Sequence, residues 1–459
     1  MLVSLHVFGS SLFYTPIHEK DGKKYEIIQN SYMETLYGDS KTQRGKEFLP
    51  FHRFQKGRLN ARSIIEVKDT ESHYSALLDV QIGSDVNEDQ STMFYINRGY
   101  IELQNAKQPI KTKVRIGVQD TALGSLSVNS STVMKNGQGV NGGWYRFAQM
   151  PVINSSGGYN PTFLLQSTPM SSQGFTDGTF LFSQNSGNLN FVQPSPMWSS
   201  SNVGLGFFLD RTYGFKFAMS YQPSQNTGNF GINANGGYDR RGIQLNSHGN
   251  QMFTKDLTSF VLNYLNEFNG IAINASVGYE TASYRKNSTV NIDRHTLSQY
   301  TAGLNLSYLG LTIGGSYSNA GDSTLLKHNA GQVNSFSTRN TNLISATSGT
   351  NLYNISQTSN ILDFQNTYNY DFGISYAIAQ FQAGIAHQSS NFADNKFNIT
   401  LISLSEDLKS STRIKLTAMY ELGFYQFNSA NYFDATANVH QGPQVKGLMG
   451  SLGLRVSIY

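Results

Sequence analysis

The sequence predicts an all-β fold: one closed antiparallel transmembrane β-barrel of about 16 strands, occupying residues 1–459 as a single domain. Three observations predict it. Segments of about ten residues alternate apolar and polar side chains with a period of two, and they recur in pairs joined by very short turns. Longer stretches rich in Asn, Ser, Gly and Thr separate the pairs. The composition fits a wall that is apolar on one face and wet on the other, with 14% charged residues, 29 Phe, 26 Tyr, 43 Gly and a mean hydropathy of −0.35.

The strands follow in chain order. The N-terminal set is read near Met1 to Phe13, Leu59 to Val67, Tyr74 to Ile82, Tyr95 to Leu103 and Thr112 to Gln119. Hairpins follow at Val203 to Tyr221 around Thr212, Phe260 to Tyr279 around Asn269, Tyr300 to Tyr317 around Gly310, and Tyr368 to His387 around Ala379. A further pair is Phe397 to Leu404 with Ile414 to Phe424, and Gly447 to Ile458 ends the series. Tyr300 to Tyr308 shows the rule best. Tyr300, Ala302, Leu304, Leu306 and Tyr308 fall on one face, and Thr301, Gly303, Asn305 and Ser307 on the other. The apolar face is bracketed by Tyr, as at the two interfaces of a membrane, and Leu304, Leu306, Ile313, Ile374 and Leu416 are expected to face lipid.

Loops are expected at roughly 15–56, 121–200, 222–253, 321–364 and 428–446. In a compact soluble domain such lengths would argue against the strands. In a membrane barrel, short turns on one side and long loops on the other are the rule.

No run approaches the roughly 18 apolar residues of a membrane helix, and a closed barrel is the other way to pair every backbone group in lipid. Met1 to Tyr14 alternates like a strand and lacks the basic start of a secretory signal, so the chain is read as mature with its export signal removed. With no cysteine there is neither a disulfide framework nor a thiolate metal site. A net charge of +4 without a basic run argues against nucleic acid.

Three motifs carry plainer readings. Gly137, Gly139 and Gly142 match the spacing G-x-G-x-x-G, but Trp144 to Pro151 opens no helix, so a loop is the reading. Asp85, Asn87 and Asp89 start like a calcium loop, yet Gln90 and Ile96 replace its Gly and Glu; loosely bound calcium in loops is the most this allows, and no other cofactor is expected. The nine His lack metal spacing, and no G-x-S-x-G occurs. His387 falls in phase with Phe381, Ala383 and Ile385, as a histidine at the membrane interface would, and an enzyme is not expected.

Charges inside the strands are more telling, because they fall in the phase opposite the apolar residues. Arg62, Glu66 and Lys68 sit between Ala61, Ile65 and Val67; Lys113 and Arg115 alternate with Val114 and Ile116; Arg98 and Glu102 oppose Ile101 and Leu103. Asp79, Lys216, Glu280, Asp371, Arg413, Lys415, Glu421 and Arg455 follow the same rule. A charge facing lipid costs about 2–4 kcal/mol at the midplane, so the phasing fits a membrane wall around a wet lumen.

The hairpins Phe260 to Tyr279, Tyr300 to Tyr317 and Val203 to Pro223 resemble those of the Gram-negative general porins in their alphaproteobacterial branch. The likeness is one of pattern and is strongest from about 200 to 320. It implies a sixteen-stranded barrel that trimerises through its first and last strands in the bacterial outer membrane, in contact with the lipid bilayer and lipopolysaccharide. It also implies passive diffusion of small hydrophilic solutes and ions, with a third outer loop folded inward. By position that loop is 121–201, a pore-constricting region bearing Asp120, Lys135, Arg146 and Asp177, whose stretch Trp144, Tyr145, Arg146 and Phe147 resembles the inserted part. The C-terminus departs from the pattern: Tyr459 is aromatic but out of phase with Leu452, Leu454, Val456 and Ile458, so either a bulge re-aims it or Ile458 takes its place.

Arg62, Lys68, Arg98, Lys113 and Arg115 come from neighbouring strands, and Arg413, Lys415 and Arg455 extend their sector across the closure. Glu66, Asp79 and Glu102 offset it in part, and the inserted loop offers few carboxylates. A weak anion preference is therefore expected. The competing readings are a substrate-specific channel, which would need a dense set of lumen ligands, and a surface adhesin displayed on a barrel.

Overall fold

The computed structural model describes residues 15–20, 23–44, 47–48, 56–69, 74–86, 92–105, 111–133, 202–224, 253–285, 296–321, 367–392, 395–410, 414–428 and 444–458, with short strands between 149 and 192 and at 350–351, 432–434 and 439–440. Among these residues sixteen strands build the wall. They are β1 (Lys23–Arg44), β2 (Lys56–Asp69), β3 (Tyr74–Val86), β4 (Thr92–Asn105), β5 (Thr112–Gln119), β6 (Asn202–Thr212), β7 (Phe215–Ser224) and β8 (Phe253–Phe268). The second half comprises β9 (Ile271–Arg285), β10 (Leu297–Tyr308), β11 (Leu311–Gly321), β12 (Thr367–Ile378), β13 (Phe381–Phe392), β14 (Asn395–Ser410), β15 (Ile414–Asn428) and β16 (Gln444–Ile458).

Each strand pairs antiparallel with its successor, and β16 pairs with β1 from Ile458 opposite Ser31 to Val445 opposite Arg44. This last ladder closes the sheet, so the backbone groups of every wall strand have a neighbour on both sides. Below the closure, the short strand Thr15–Lys20 folds back on β1, with Lys20 opposite Lys23.

One expectation is corrected. The first wall strand is β1, inside the stretch 15–56 that was expected to be a loop, while Met1 to Phe13 lies outside the described residues. The reason is low hydropathy contrast. The outward phase of β1 holds Ser31, Met33 and Thr35, and the inward phase holds Tyr32 and Glu34, so neither face reads as apolar. The remaining strands fall where the alternation predicts them, and the total stays at sixteen among the described residues.

Hairpin geometry follows from the turns. In Leu309–Gly310, Tyr213–Gly214 and Asn269–Gly270 both central residues have positive φ, which is the two-residue turn whose twist matches the flanking strands. Gly310 is required at its turn for a second reason: a Cβ there would press on the Ala377 carbonyl.

The two faces differ sharply. Leu304, Leu306 and Ile313 point outward and are 46%, 42% and 37% exposed, while half-buried Ile374 and Leu416 share their phase. Tyr279, Tyr300, Tyr317 and Tyr370 border this band at the loop end, and Phe268, Tyr308 and Tyr376 border it at the turn end. From Tyr300 to Tyr308 the strand runs roughly 27 Å, which its tilt reduces to about 20 Å of height, near the apolar thickness of an outer-membrane barrel. His387 lies in the outward phase, with Nδ1 3.0 Å from Thr400 Oγ1.

Candidate functional site

The inward face is polar, and part of it is covered by the segment that follows β5. Thr121 caps the five-residue helix α1 (Ala122–Leu126), its hydroxyl accepting from the Gly124 amide at 3.0 Å. So short a helix cannot pair its own first amides, and the wall takes them instead. Ala122 N donates to Ser220 Oγ on β7 at 2.8 Å, and Leu123 N to Ser259 Oγ on β8 at 2.9 Å. Beyond α1, Val128 N donates to Ser276 Oγ on β9 at 2.7 Å, and Ser130 N to Asp371 Oδ1 on β12 at 2.6 Å. Asn263 donates to the Leu126 carbonyl and Asn305 to that of Asn129; Ser375 and Gln382 both donate to that of Val133.

Apolar contact completes the seat. Ala122 and Leu123 are buried with Phe208, Ala218 and Val261, three residues in the inward phase of β6, β7 and β8. Small wall residues make room: an added Cβ at Gly303 would lie 2.7 Å from the Val128 carbonyl carbon and nearer still to its oxygen. Residues 121–133 therefore run along the lumen wall from β7 to β13.

The charged sector lies on the other side, over β15, β16 and β1 to β7. Arg62 Nε donates to Asp79 Oδ1 at 2.8 Å, and its Nη2 bonds the second oxygen. Arg455 on β16 grips Glu34 on β1 through one oxygen, Nε donating to Oε2 at 2.8 Å and Nη2 to the same oxygen, with its guanidinium 5.6 Å from the Tyr32 ring. Arg115 Nε bonds buried Glu102, and Lys113 Nζ lies 3.6 Å from the same carboxylate. The Arg115 guanidinium is stacked between Phe208 at 4.2 Å and Tyr100 at 4.9 Å. Lys68 pairs with Glu66 at 3.7 Å and Lys415 with Asp407 at 2.9 Å.

The expected lumen charges are thus brought together, with a difference in kind. Arg62, Lys68, Lys113, Arg115, Lys415 and Arg455 are each paired with a carboxylate, so the wall is a chain of ion pairs rather than a bare basic surface. Glu34 was hidden from sequence reasoning because β1 was read as loop. Asp407 was missed because the strand was read to end at Leu404, whereas it continues to Ser410 and keeps Asp407 in the inward phase of Ser403 and Ser405. A carboxylate on the adjacent strand, across the same hairpin turn from Lys415, was the available signal.

Glu280, Asp371 and Glu421 are engaged by the inner segment and the wall: Glu280 accepts from Thr121, Asp371 from Ser130 and Ser316, and Glu421 from Ser403. Arg98 lies on β4 opposite Gln81, with its side chain outside the described residues. Asp120 is half-buried between β5 and α1. Arg413, Lys135, Arg146, Asp177 and Tyr459 lie outside the described residues, as do Trp144, Tyr145 and Phe147. Asp85 is placed at the end of β3 opposite Arg58, while Asn87 and Asp89 lie outside the described residues. No group of three or more metal-ligating side chains gathers among the described residues.

Fold and lumen together define the class: a closed sixteen-stranded barrel, apolar outside, with a polar and charged interior. The chain is similar to a mutant of the Rhodopseudomonas blastica porin (10% identity, TM-score 0.41, covering 94% of this chain and 100% of that one). It is similar also to Salmonella typhi OmpF in complex with daunomycin (10%, 0.44, 95% and 99%) and to the anion-selective porin from Comamonas acidovorans (10%, 0.44, 95% and 100%). No family model and no curated protein matches the chain. The fold itself rests on the strand pairing above.

Proposed function

We propose that this chain is a passive, water-filled channel of a bacterial outer membrane, carrying small hydrophilic solutes and ions with a weak preference for anions. The observation that supports it is the two-sidedness of a closed wall: Leu304, Leu306 and Ile313 exposed outside, ion pairs and hydroxyls inside. An aqueous path is the arrangement that hydrates the inner face while lipid covers the outer one.

The sign of the preference follows from the pairing. Glu102 serves both Lys113 and Arg115, which leaves positive charge in excess locally, while Glu280 and Asp371 lie on the far wall beneath the 121–133 segment. That segment reduces the open cross-section and concentrates the field of the charged sector. Because most cations are paired, the preference is small and fades as screening shortens to about 3 Å near 1 M salt. Reversal potentials across planar bilayers in a KCl gradient test it. Arg62→Ala combined with Arg115→Ala is expected to reduce the anion preference, and a clear cation preference in the unmodified protein overturns the reading.

We further propose a homotrimer in contact with lipid and lipopolysaccharide, joined through β16, β1 and β2. The outward phase there carries Ser31 and Ser63, with hydroxyls 3.2 Å apart, a polar pair better placed against protein than against acyl chains. Native mass spectrometry in mild detergent should give three chains, and a monomer counts against it.

A further inference from the structure

The described lumen arginines are pinned in two different ways. Arg62 and Arg455 spend Nε and Nη2, the edge that grips an oxyanion bidentately, on Asp79 and Glu34. Arg115 spends only Nε, on Glu102. Its two terminal nitrogens have no partner among the described residues, and the Phe208 and Tyr100 rings hold the guanidinium plane so that its free edge is presented in a fixed direction. The side chain is one-fifth exposed, so the edge is reachable from the lumen.

Two ammonium groups lie on its turn side. Lys113 precedes it by two residues in the same inward phase, and half-buried Lys216 follows two strands away, across β6, where Lys113 is opposite Phe208 and Phe208 opposite Ala218. Lys113, Arg115 and Arg211 act on Lys216 repulsively, and Asp210 attractively. Arg211 is itself engaged by the Gly214 carbonyl and Asn263. Four cations, Lys113, Arg115, Lys216 and Arg211, thus face two carboxylates, Glu102 and Asp210, and the surplus charge coincides with the one described guanidinium in this sector whose terminal edge is open.

We propose that Arg115, Lys113 and Lys216 form a binding subsite in the lumen for small oxyanions of the phosphate class. The assignment rests on the channel reading for its access route, but its chemistry is separate: a fork of two N–H donors matches a tetrahedral oxyanion and gives no such advantage to chloride. Lipid phosphate lies outside the wall, so inorganic phosphate is the ligand.

Two measurements separate this proposal from the channel reading. Inorganic phosphate is titrated into the intact protein, stripped of lipid in octyl glucoside, while ³¹P line broadening is followed; chloride competes in a second arm. Saturable broadening that chloride displaces only weakly is expected, and R115K, which keeps the charge and loses the fork, should raise the half-saturating phosphate concentration about tenfold. K216Q should raise it severalfold and carries the test alone if R115K does not give a heat-modifiable barrel. No saturable broadening, or equal saturation in wild type and both variants, overturns the subsite. Bilayer conductance is recorded in parallel: a conducting channel that ignores phosphate in the titration refutes the subsite alone, whereas Arg115-dependent binding without conductance upholds the subsite and removes the channel.

Discussion

Replacing Gly303 by alanine would drive a methyl group into the backbone of the inner segment. The new Cβ would lie 2.7 Å from the Val128 carbonyl carbon, against 3.4 Å for an ordinary contact, and nearer still to its oxygen, so the segment must retreat by more than about 0.7 Å. Val128 is held by its amide bond to Ser276 at 2.7 Å and Ser130 by its bond to Asp371 at 2.6 Å. The same retreat stretches both to roughly 3.4 Å, where hydrogen bonds weaken steeply. With about 0.5–1.5 kcal/mol for the first and about 1.5–3 for the charge-assisted second, the loss is on the order of 2–4 kcal/mol, concentrated in the segment rather than in the barrel. Barrel formation, read by heat-modifiable migration, should persist. Single-channel recordings should show lower mean current and more noise, since a lifted segment moves into the lumen. A current and noise level equal to wild type would refute the seating of Val128 against Gly303.

Spin labels at positions 304, 306 and 313 should be accessible to oxygen and shielded from aqueous relaxers; the reverse would overturn the register, because a slip of one residue exchanges the faces. Asp79→Asn removes the charge of a fully buried carboxylate and turns one of the two acceptors of the Arg62 fork into a donor, so stability should fall by about 1–3 kcal/mol and the reversal potential should move toward anions. A shift toward cations would show that Arg62 does not face the aqueous path. Thr121→Ala removes the cap of α1 and the donor to Glu280, which should cost about 0.5–2 kcal/mol locally and speed hydrogen exchange over residues 121–127. Unchanged exchange there would count against the cap.

How far the site could be read in advance is shown by three side chains. Arg115 was assigned to the lumen from its alternation with Val114 and Ile116; the structure puts it in the phase opposite those two exposed residues, bonded to Glu102. Its partner Glu102 shares an inward phase on the next strand, but that the two are opposite one another is a matter of register, which alternation leaves open. Glu34 gave no local signal at all: it sits in a strand whose outward face carries Ser31 and Thr35, and its role appears only when β16 brings Arg455 beside it, 421 residues away in the chain.

The sequence by itself determined which phase of β2 to β16 faces out along their regular stretches, because a period of two and a lipid exterior leave one workable phase there; at the bulges it did not. It determined the turns as well, where positive φ selects glycine at Gly214, Gly270 and Gly310. Closure was decided by the tertiary structure, since β1 becomes a wall strand only by lying between β16 and β2. The same holds for the charge of the lumen. Periodicity counts cations and carboxylates on a face, but the field depends on which of them are opposite each other, and long-range register alone sets that.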